Sequence, residues 1–369
     1  MKHQHESDAH VVVLGAGYAG LRAALQLDRH VRVTLITMDG NFTERVRQHE
    51  LAAGRPAVTH PLSKLLRTSG IERITARVTG IDASARCVHT DTGVQVGYDR
   101  LVYALGSRTA GIADDVPGRV YTAESAAELR KRLIDAPGVL TVVGAGLTGI
   151  EMAAEVAETY PDWEVRLRTG GHIAPSISEG GREHIRSFLH SRDVHIEEGQ
   201  HVTGPEDLDT DVIVWAASMT PNTQIAVAAG LSTDDSNQVL VDSSLRSVSH
   251  PEIYVAGDAA SVQTAKSGRI RMACATALPL GRQVANSVIK DLQGEEPDTF
   301  KFAYQAQCMS LGRHDGLVQF VGADDSPAHR IVTGRLAAMI KEQVVRTTVR
   351  TVRMDARYPR VAGLIPGVN

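Results

Sequence analysis

The chain has 369 residues, of which 43% are hydrophobic and 22% charged, with a formal net charge of -4. That length exceeds one simple core, so two or three domains are expected, and the small negative charge gives no reason to expect a nucleic-acid partner. Cys87, Cys274 and Cys308 are too few, and odd in number, for a disulfide framework, and they fit a reducing cytoplasm.

The first residues, MKHQHESDAH, are polar and do not read as a signal peptide, and no stretch approaches the ~20 apolar residues that span a bilayer. Residues 11–14 read as a buried parallel strand closed by Gly15, residues 21–27 carry apolar side chains at helical spacing, and residues 31–36 return to a strand. Together they predict a βαβ unit with a right-handed crossover. A strand pair is expected around residues 73–96, followed by the phrase YDRLVYALGS (98–107). Residues 140–143, 150–157 and 165–167 then repeat the βαβ pattern, the one internal repeat in the chain. DVIVWAAS (211–218) and EIYVAGDAA (252–260) each end a strand in small residues. From residue 301 the periodicity changes to short apolar runs, then a long helix-like run over 334–354.

Each βαβ unit holds one glycine motif, Gly15-x-Gly17-x-x-Gly20 and Gly144-x-Gly146-x-x-Gly149. In such a motif the first glycine makes the strand-to-helix turn, the second admits a pyrophosphate to the backbone, and the third lets helix and strand pack closely. The phosphate meets free N–H groups at the positive helix end. Either motif alone has a ligand-free glycine turn as its alternative; two, each in its own βαβ setting, point to two dinucleotides. The fold class is α/β, with two Rossmann-like domains and a small C-terminal α+β region.

In these motifs, and in the order of YDRLVYALGS, DVIVWAASMTPN (211–222) and IYVAGDAA (253–260), the chain resembles two-dinucleotide flavoproteins of the pyridine-nucleotide oxidoreductase superfamily. The resemblance implies a discontinuous FAD domain (8–110 and 245–300), an inserted NAD(P)H domain (111–244) and a C-terminal interface region (301–369). It carries FAD contacts onto Gly15, Ala16, Gly17, Tyr18, Ala19, Gly20, Thr37, Asp39, Arg45, Val78, Ala104, Leu105, Gly106, Gly257, Asp258, Ala277 and Leu278. It carries contacts to NADH or NADPH onto Gly144, Ala145, Gly146, Leu147, Thr148, Gly149 and Thr169. GAGYAGL (15–21), the missing C-x-x-C and the short C-terminal region beginning FAY (302–304) resemble type II NADH dehydrogenases and apoptosis-inducing-factor-like proteins. TERVRQHELAAG (43–54), CATALPLG (274–281) and QCMSLGR (307–313) resemble an actinobacterial branch of that group.

The implied function is an FAD-dependent NAD(P)H dehydrogenase that passes hydride to FAD and then electrons to a quinone-like or other small acceptor. The alternatives are a reductase of a ferredoxin- or rubredoxin-type carrier and a slow-turnover regulatory flavoprotein. Glu151, in the family's G-x-x-G-h-E phrase, is the implied catalytic or positioning carboxylate; the helix macrodipole also favours a glutamate there.

Three positions depart from the pattern. Thr37 and Thr169 stand where a ribose-binding carboxylate usually does; Asp39 is either a substitute for the first or a solvated loop residue. Thr169 is flanked by Arg166 and Arg168, which either attract the 2′-phosphate of NADPH or are solvated strand residues. Leu278, followed by Pro279, replaces the first glutamine of an A-Q-x-A-x-Q pattern associated with quinone reductases, weakening the quinone reading.

Cys308 and Cys274 read as small buried hydrophobes, with a redox pair as the alternative; Cys87 falls in a surface hairpin. The fifteen histidines show no metal-ligand spacing, so no metal is expected, and His49 either faces the flavin pocket or caps a helix. In the run 334–354, Leu336, Ile340, Val344 or Val345, Thr348 or Val349 and Val352 form one stripe, with Lys341, Arg346, Arg350 and Arg353 largely off it. Such a helix packs on the flavin domain, packs on a second subunit in a homodimer, or lies on an anionic membrane; its β-branched second half also suits a strand. The expected location is the cytoplasm, with the inner face of the membrane as the peripheral site.

Overall fold

The computed structural model describes residues 8–55, 58–110, 116 and 118–357. Parts of the expected NAD(P)H and C-terminal domains (111–115, 117 and 358–369) lie outside the described residues. The helices are α1 (Tyr18–Leu27), α2 (Gln48–Ala52), α3 (Leu62–Leu65), α4 (Ala126–Asp135), α5 (Leu147–Thr159), α6 (Glu179–His190), α7 (Gln224–Ala228), α8 (Cys274–Leu292) and α9 (Gly334–Arg357).

Two five-stranded parallel sheets carry the two glycine motifs. The first runs Ile253–Val255, Arg100–Tyr103, His10–Leu14, Arg32–Thr37, Glu72–Thr75. The second runs Val120–Tyr121, Val212–Trp215, Val139–Val143, Glu164–Arg168, His195–Glu197. In each, the central strand is followed by a glycine turn, a helix (α1 or α5) and the next strand, which is the expected βαβ crossover. The central strands are almost wholly apolar because helices cover both faces of a parallel sheet.

The turns superpose in their bonding as well as their sequence. Gly15 N donates to Ile36 O at 2.8 Å and Gly144 N donates to Arg168 O at 2.8 Å. Thr169 is therefore the structural counterpart of Thr37. Gly15 has φ +96° and Gly144 φ +104°, a region open mainly to glycine. A Cβ on Gly20 would fall on the Gly15 carbonyl, and one on Gly149 on the Gly144 carbonyl, so the third glycine of each motif is fixed by packing.

Ser107–Thr109 pairs antiparallel with Met219–Pro221, where the chain leaves and re-enters the first unit. Asn222 clips this crossing: its N–H donates to Gly106 O at 2.8 Å and its Nδ2 to Leu105 O at 2.9 Å. Ala226, Leu231 and Val239 already belong to the first core, upstream of the expected return at residue 245.

The C-terminal region is an antiparallel sheet, Ala306–Leu311, Asp315–Val321 and Pro327–Thr333, carrying α9 on its face. The run 334–357 is one continuous helix, so tertiary packing overrides the β propensity of its Val- and Thr-rich half. Its buried stripe includes Val345, Val349 and Val352 as expected but begins at Ala337 instead of Leu336. Ala337, Val345, Val349 and Val352 are buried, whereas Leu336 and Val344 are exposed. Lys341, placed largely off the stripe by its charge, lies between Ala337 and Val345 on the buried face, with its side chain only 16% exposed. At the far end, Asp355 pairs with Arg22 of α1 at 3.2 Å in the interior, and near the start Glu342 pairs with Arg47 at 2.7 Å. The docking partner of α9 is thus the chain's own first unit.

The glycine turns separate space from packing. Gly17 has φ -72° and open space where a Cβ would go. Gly17→Ala is expected to melt within about 0.5 kcal/mol of wild type, whereas Gly20→Ala loses about 1–3 kcal/mol or more through overpacking. Paired thermal or urea melts check this; equal losses would contradict it.

Candidate functional site

The free space at Gly17 recurs at Gly146, which has φ -75° and nothing within reach of a Cβ. Helices α1 and α5 start there without a side-chain cap and without acidic residues in the first turn. Their leading N–H groups and positive helix ends stay available for an anion. This is the cradle a dinucleotide pyrophosphate needs, present twice.

The remaining expected residues gather around the first cradle to differing degrees. Tyr18 is buried edge-on against Phe42, with ring centroids 5.0 Å apart. Ala104, Leu105 and Gly106 follow the strand Arg100–Tyr103, and Gly106 takes φ +64°. Asp258 sits in a short 3-10 turn, Gly257–Ala259, and its Oδ2 accepts from Ser107 Oγ at 2.6 Å. Arg45 donates to the Ser107 carbonyl and pairs with Glu124 at 2.6 Å. Ala277 and Leu278 are buried near the start of α8. A Cβ on Gly281 of α8 would fall on the Ala19 carbonyl, so α8 is seated tightly against α1. Val78 begins the strand Val78–Asp82 and is buried. Asp39 is exposed and accepts from Asn41 N at 2.6 Å, closing its own turn.

Between the two units, four side chains from four segments meet. Glu151 of α5 is 7% exposed. Lys341 Nζ lies 2.9 Å from Glu151 Oε1 and donates to Cys308 O at 3.1 Å. Ser310 donates to the same Oε1 twice, from its N–H at 3.0 Å and its Oγ at 3.1 Å. His49 of α2 places Nε2 3.2 Å from Ser310 Oγ and Nδ1 3.8 Å from Glu151 Oε2.

Burial pushes the Glu151 carboxyl upward, but the Lys341 ammonium, by charge and hydrogen bond, and the Ser310 N–H outweigh it and hold the group below the usual carboxylate range. Burial would likewise lower Lys341, and the Glu151 carboxylate reverses this, so its ammonium is favoured. His49 is lowered by burial and so is neutral at pH 7, facing the pair rather than capping a helix. The result is a buried ion pair with a neutral imidazole and a hydroxyl attached to it.

The turn Gly312–His314 is pinned onto α5 beside this cluster. Arg313 pairs with Glu155, its N–H donates to Glu158 Oε1 at 2.9 Å, and its guanidinium lies 3.4 Å from Glu50. Ser310, Lys341 and Arg313 were not singled out as site residues by sequence. The one available signal was the spacing 337–341–345, which puts a lysine on an apolar stripe and so demands a buried partner.

A cavity of about 490 Å³ opens between the start of α8 and α9, lined by Cys274, Ala275, Leu278 and Pro279 and, on one face of α9, by Met339, Gln343, Val344, Thr347, Thr348 and Thr351. Its walls are mainly apolar. Pro279 has no N–H to give the Ala275 carbonyl, which leaves an acceptor in the wall. Ile340, next to Lys341, also lines it. Burial pushes the Cys274 and Cys308 thiols upward despite Lys341, opposing the thiolate that disulfide exchange requires. All three cysteines are free.

Residues 9–277 match the family model described as pyridine nucleotide-disulphide oxidoreductase. The chain is 29% identical over 346 residues to an NADH dehydrogenase-like protein of Mycobacterium tuberculosis, covering 82% of this chain and 85% of that one. It is 25% identical over 385 residues to the type II NADH:quinone oxidoreductase of Staphylococcus haemolyticus, covering 90% and 93%. Among solved structures, the Aquifex aeolicus sulfide:quinone oxidoreductase matches with a TM-score of 0.77 at 20% identity, covering 94% of this chain and 92% of that one. NDH2 of Plasmodium falciparum, in complex with NADH, matches with 0.76 at 14% identity, covering 95% and 99%. These two share the fold. From the family match and the twin cradles, the chain belongs to the pyridine nucleotide-disulphide oxidoreductase family and is an NAD(P)H-dependent flavoprotein oxidoreductase.

Proposed function

We propose that the first cradle holds FAD, the second admits NAD(P)H, and the cavity between α8 and α9 takes a quinone-like acceptor. The observation that carries this reading is the buried Glu151–Lys341 pair, standing where the two units and the C-terminal sheet meet. FAD bound at Gly15–Gly20 supplies two-electron acceptance, which no side chain here offers. The chain's own groups do the rest. The Gly144–Gly149 turn fixes the nicotinamide dinucleotide by its pyrophosphate. Glu151, two residues past Gly149, extends that site into the wall shared with the first unit through His49.

Reduction of a quinone-like acceptor consumes protons, and a mainly apolar cavity holds little water to provide them. Lys341 Nζ holds a proton beside Glu151 and lies within electrostatic reach of the cavity residue Cys274. Ser310 and His49 connect to the same carboxylate, and once the Lys341 ammonium has given up its proton they form a hydrogen-bonded relay by which one from solvent can return to Lys341. Without glutamine at Leu278, the donor to an acceptor carbonyl is the Gln343 amide on the opposite wall, and the Ala275 carbonyl can receive a hydroxyl only from the reduced product. Exposed Leu336, Met339 and Val344 near the mouth suit contact with an apolar phase that delivers such an acceptor. The relatives named type II NADH:quinone oxidoreductase support a quinone over a carrier protein.

Filling the cavity tests the acceptor site. Leu278→Trp is expected to lower turnover with a soluble quinone at least tenfold while ferricyanide reduction by NADH persists. Loss of both, or of neither, in a variant that retains its flavin and its melting temperature would overturn the assignment.

The neutral His49 has a stability consequence. Its folded pKa lies below its unfolded value of about 6.5, so the unfolded state binds more protons below that pH. Its contribution to stability is complete above pH 6.5 and is lost as pH falls, by about 1.4 kcal/mol per pH unit, until the folded group also protonates. His49→Gln should flatten the fall in melting temperature between pH 7 and 5; identical slopes would contradict this.

A further inference from the structure

This inference rests on the reading that the second cradle takes a nicotinamide dinucleotide, and concerns which one. The residue ending the second strand of such a unit faces the adenosine ribose: a carboxylate there suits the free 2′-hydroxyl, and an arginine nearby suits a 2′-phosphate. Here the hydrogen bond from Gly144 N to Arg168 O fixes the register and puts Thr169 at that place. Thr169 carries no charge, so the neighbouring side chains decide.

Neither arginine flanking Thr169 is free to meet a phosphate. Arg166 pairs with Glu164 at 2.6 Å and donates to Asp209 O at 3.3 Å. Arg168 faces Glu197 across the parallel strands, and its Nε lies 2.5 Å from Glu197 Oε2. Thr169 N donates to Glu197 O at 2.9 Å, so the Glu197 backbone adjoins the ribose-facing residue. The next residue, Glu198, is engaged by the Ile173 N–H at 2.7 Å, by Arg186 at 3.0 Å and by His172 at 3.6 Å. The rim beside Thr169 thus contains two carboxylates, each already sharing its arginine.

We propose that Glu197 is the residue that sets nicotinamide choice in this protein, by holding Arg168 in a cross-strand ion pair and so denying the 2′-phosphate of NADPH its cation. A phosphate there meets a like charge on Glu197 and must break the Arg168 pair to gain an opposite one. A 2′-hydroxyl meets neither obstacle and has the Thr169 hydroxyl and Glu197 as partners. The chain reaches by its third strand the selectivity that a carboxylate at Thr169 would supply by its second.

The test uses flavin-loaded full-length protein. ADP and 2′,5′-ADP are titrated calorimetrically into wild type, Glu197→Gln and Glu197→Gln/Arg168→Gln, and kcat and KM are measured for NADH and NADPH. Wild type should bind ADP at least tenfold more tightly than 2′,5′-ADP. Glu197→Gln should raise relative 2′,5′-ADP affinity and the NADPH-to-NADH ratio of kcat/KM by roughly tenfold, the effect of one gained charge-assisted contact, with the gain in KM. Removing Arg168 as well should abolish that gain. Equal wild-type binding of the two nucleotides, or a Glu197→Gln ratio unchanged from wild type, overturns the proposal. The wild-type titration needs neither turnover nor the variant, so it decides even if Glu197→Gln fails to fold. Binding of neither nucleotide would instead remove the nicotinamide reading itself, and the proposal with it.

Discussion

The ion pair between Lys341 and Glu151 is the constraint on which the arrangement of this chain depends. Two charges with little access to water are costly, and removing one partner of such a pair typically destabilises by about 3–5 kcal/mol. The pair persists because its surroundings are complete: Ser310 donates to the carboxylate twice and the Cys308 carbonyl receives the ammonium. Those groups belong to three parts of the chain, α5 of the second unit, the first C-terminal strand and α9. With His49 added from the first unit, the cluster can be satisfied only when all of them dock together. The pairing of Arg313, in the turn after the first C-terminal strand, with Glu155 of α5 and the Arg22–Asp355 pair hold the same docking at two further points.

The two βαβ units are alike in their turns and unlike in their surroundings. In the first, α1 is buried along its whole length, with α8 against its glycine-bearing face and α9 beyond. In the second, Gly146 and Thr148 are exposed and the rim beyond Thr169 consists of charged, partly exposed side chains. Gly17 and Gly146 are both exposed, so each cradle is open at its second glycine, but the helix after the first is covered by later parts of the chain from Tyr18 onward and the helix after the second is exposed at Thr148. That asymmetry suits one resident and one exchanging dinucleotide.

Much of this was legible in the sequence. The glycine spacings report backbone geometry directly, since positive φ at Gly15 and Gly144 and the crowding at Gly20 and Gly149 leave no other residue suitable. The strand and crossover pattern followed from apolar periodicity. The partners of Glu151 were not legible, because Ser310 and Lys341 come from segments more than 150 residues away and carry no local motif. The charge of Lys341 suggested an exposed position, and only a partner from another domain makes burial tolerable. Arg166 and Arg168 read as candidate phosphate ligands because a sequence does not show that Glu164 on the same strand and Glu197 across the sheet engage them. In α9 the β-branched run was outweighed by burial of Val345, Val349 and Val352 against the first unit and the C-terminal sheet.

The most direct test is anaerobic stopped-flow mixing of flavin-loaded protein with NADH, followed at the flavin band near ~450 nm, for wild type and Glu151→Gln. The account predicts rapid bleaching in wild type and a rate at least tenfold lower in the variant at saturating NADH, with the flavin still bound. Equal rates would contradict a role for the buried pair at the hydride-transfer site, and an unbleached wild type with either NADH or NADPH would contradict the account as a whole.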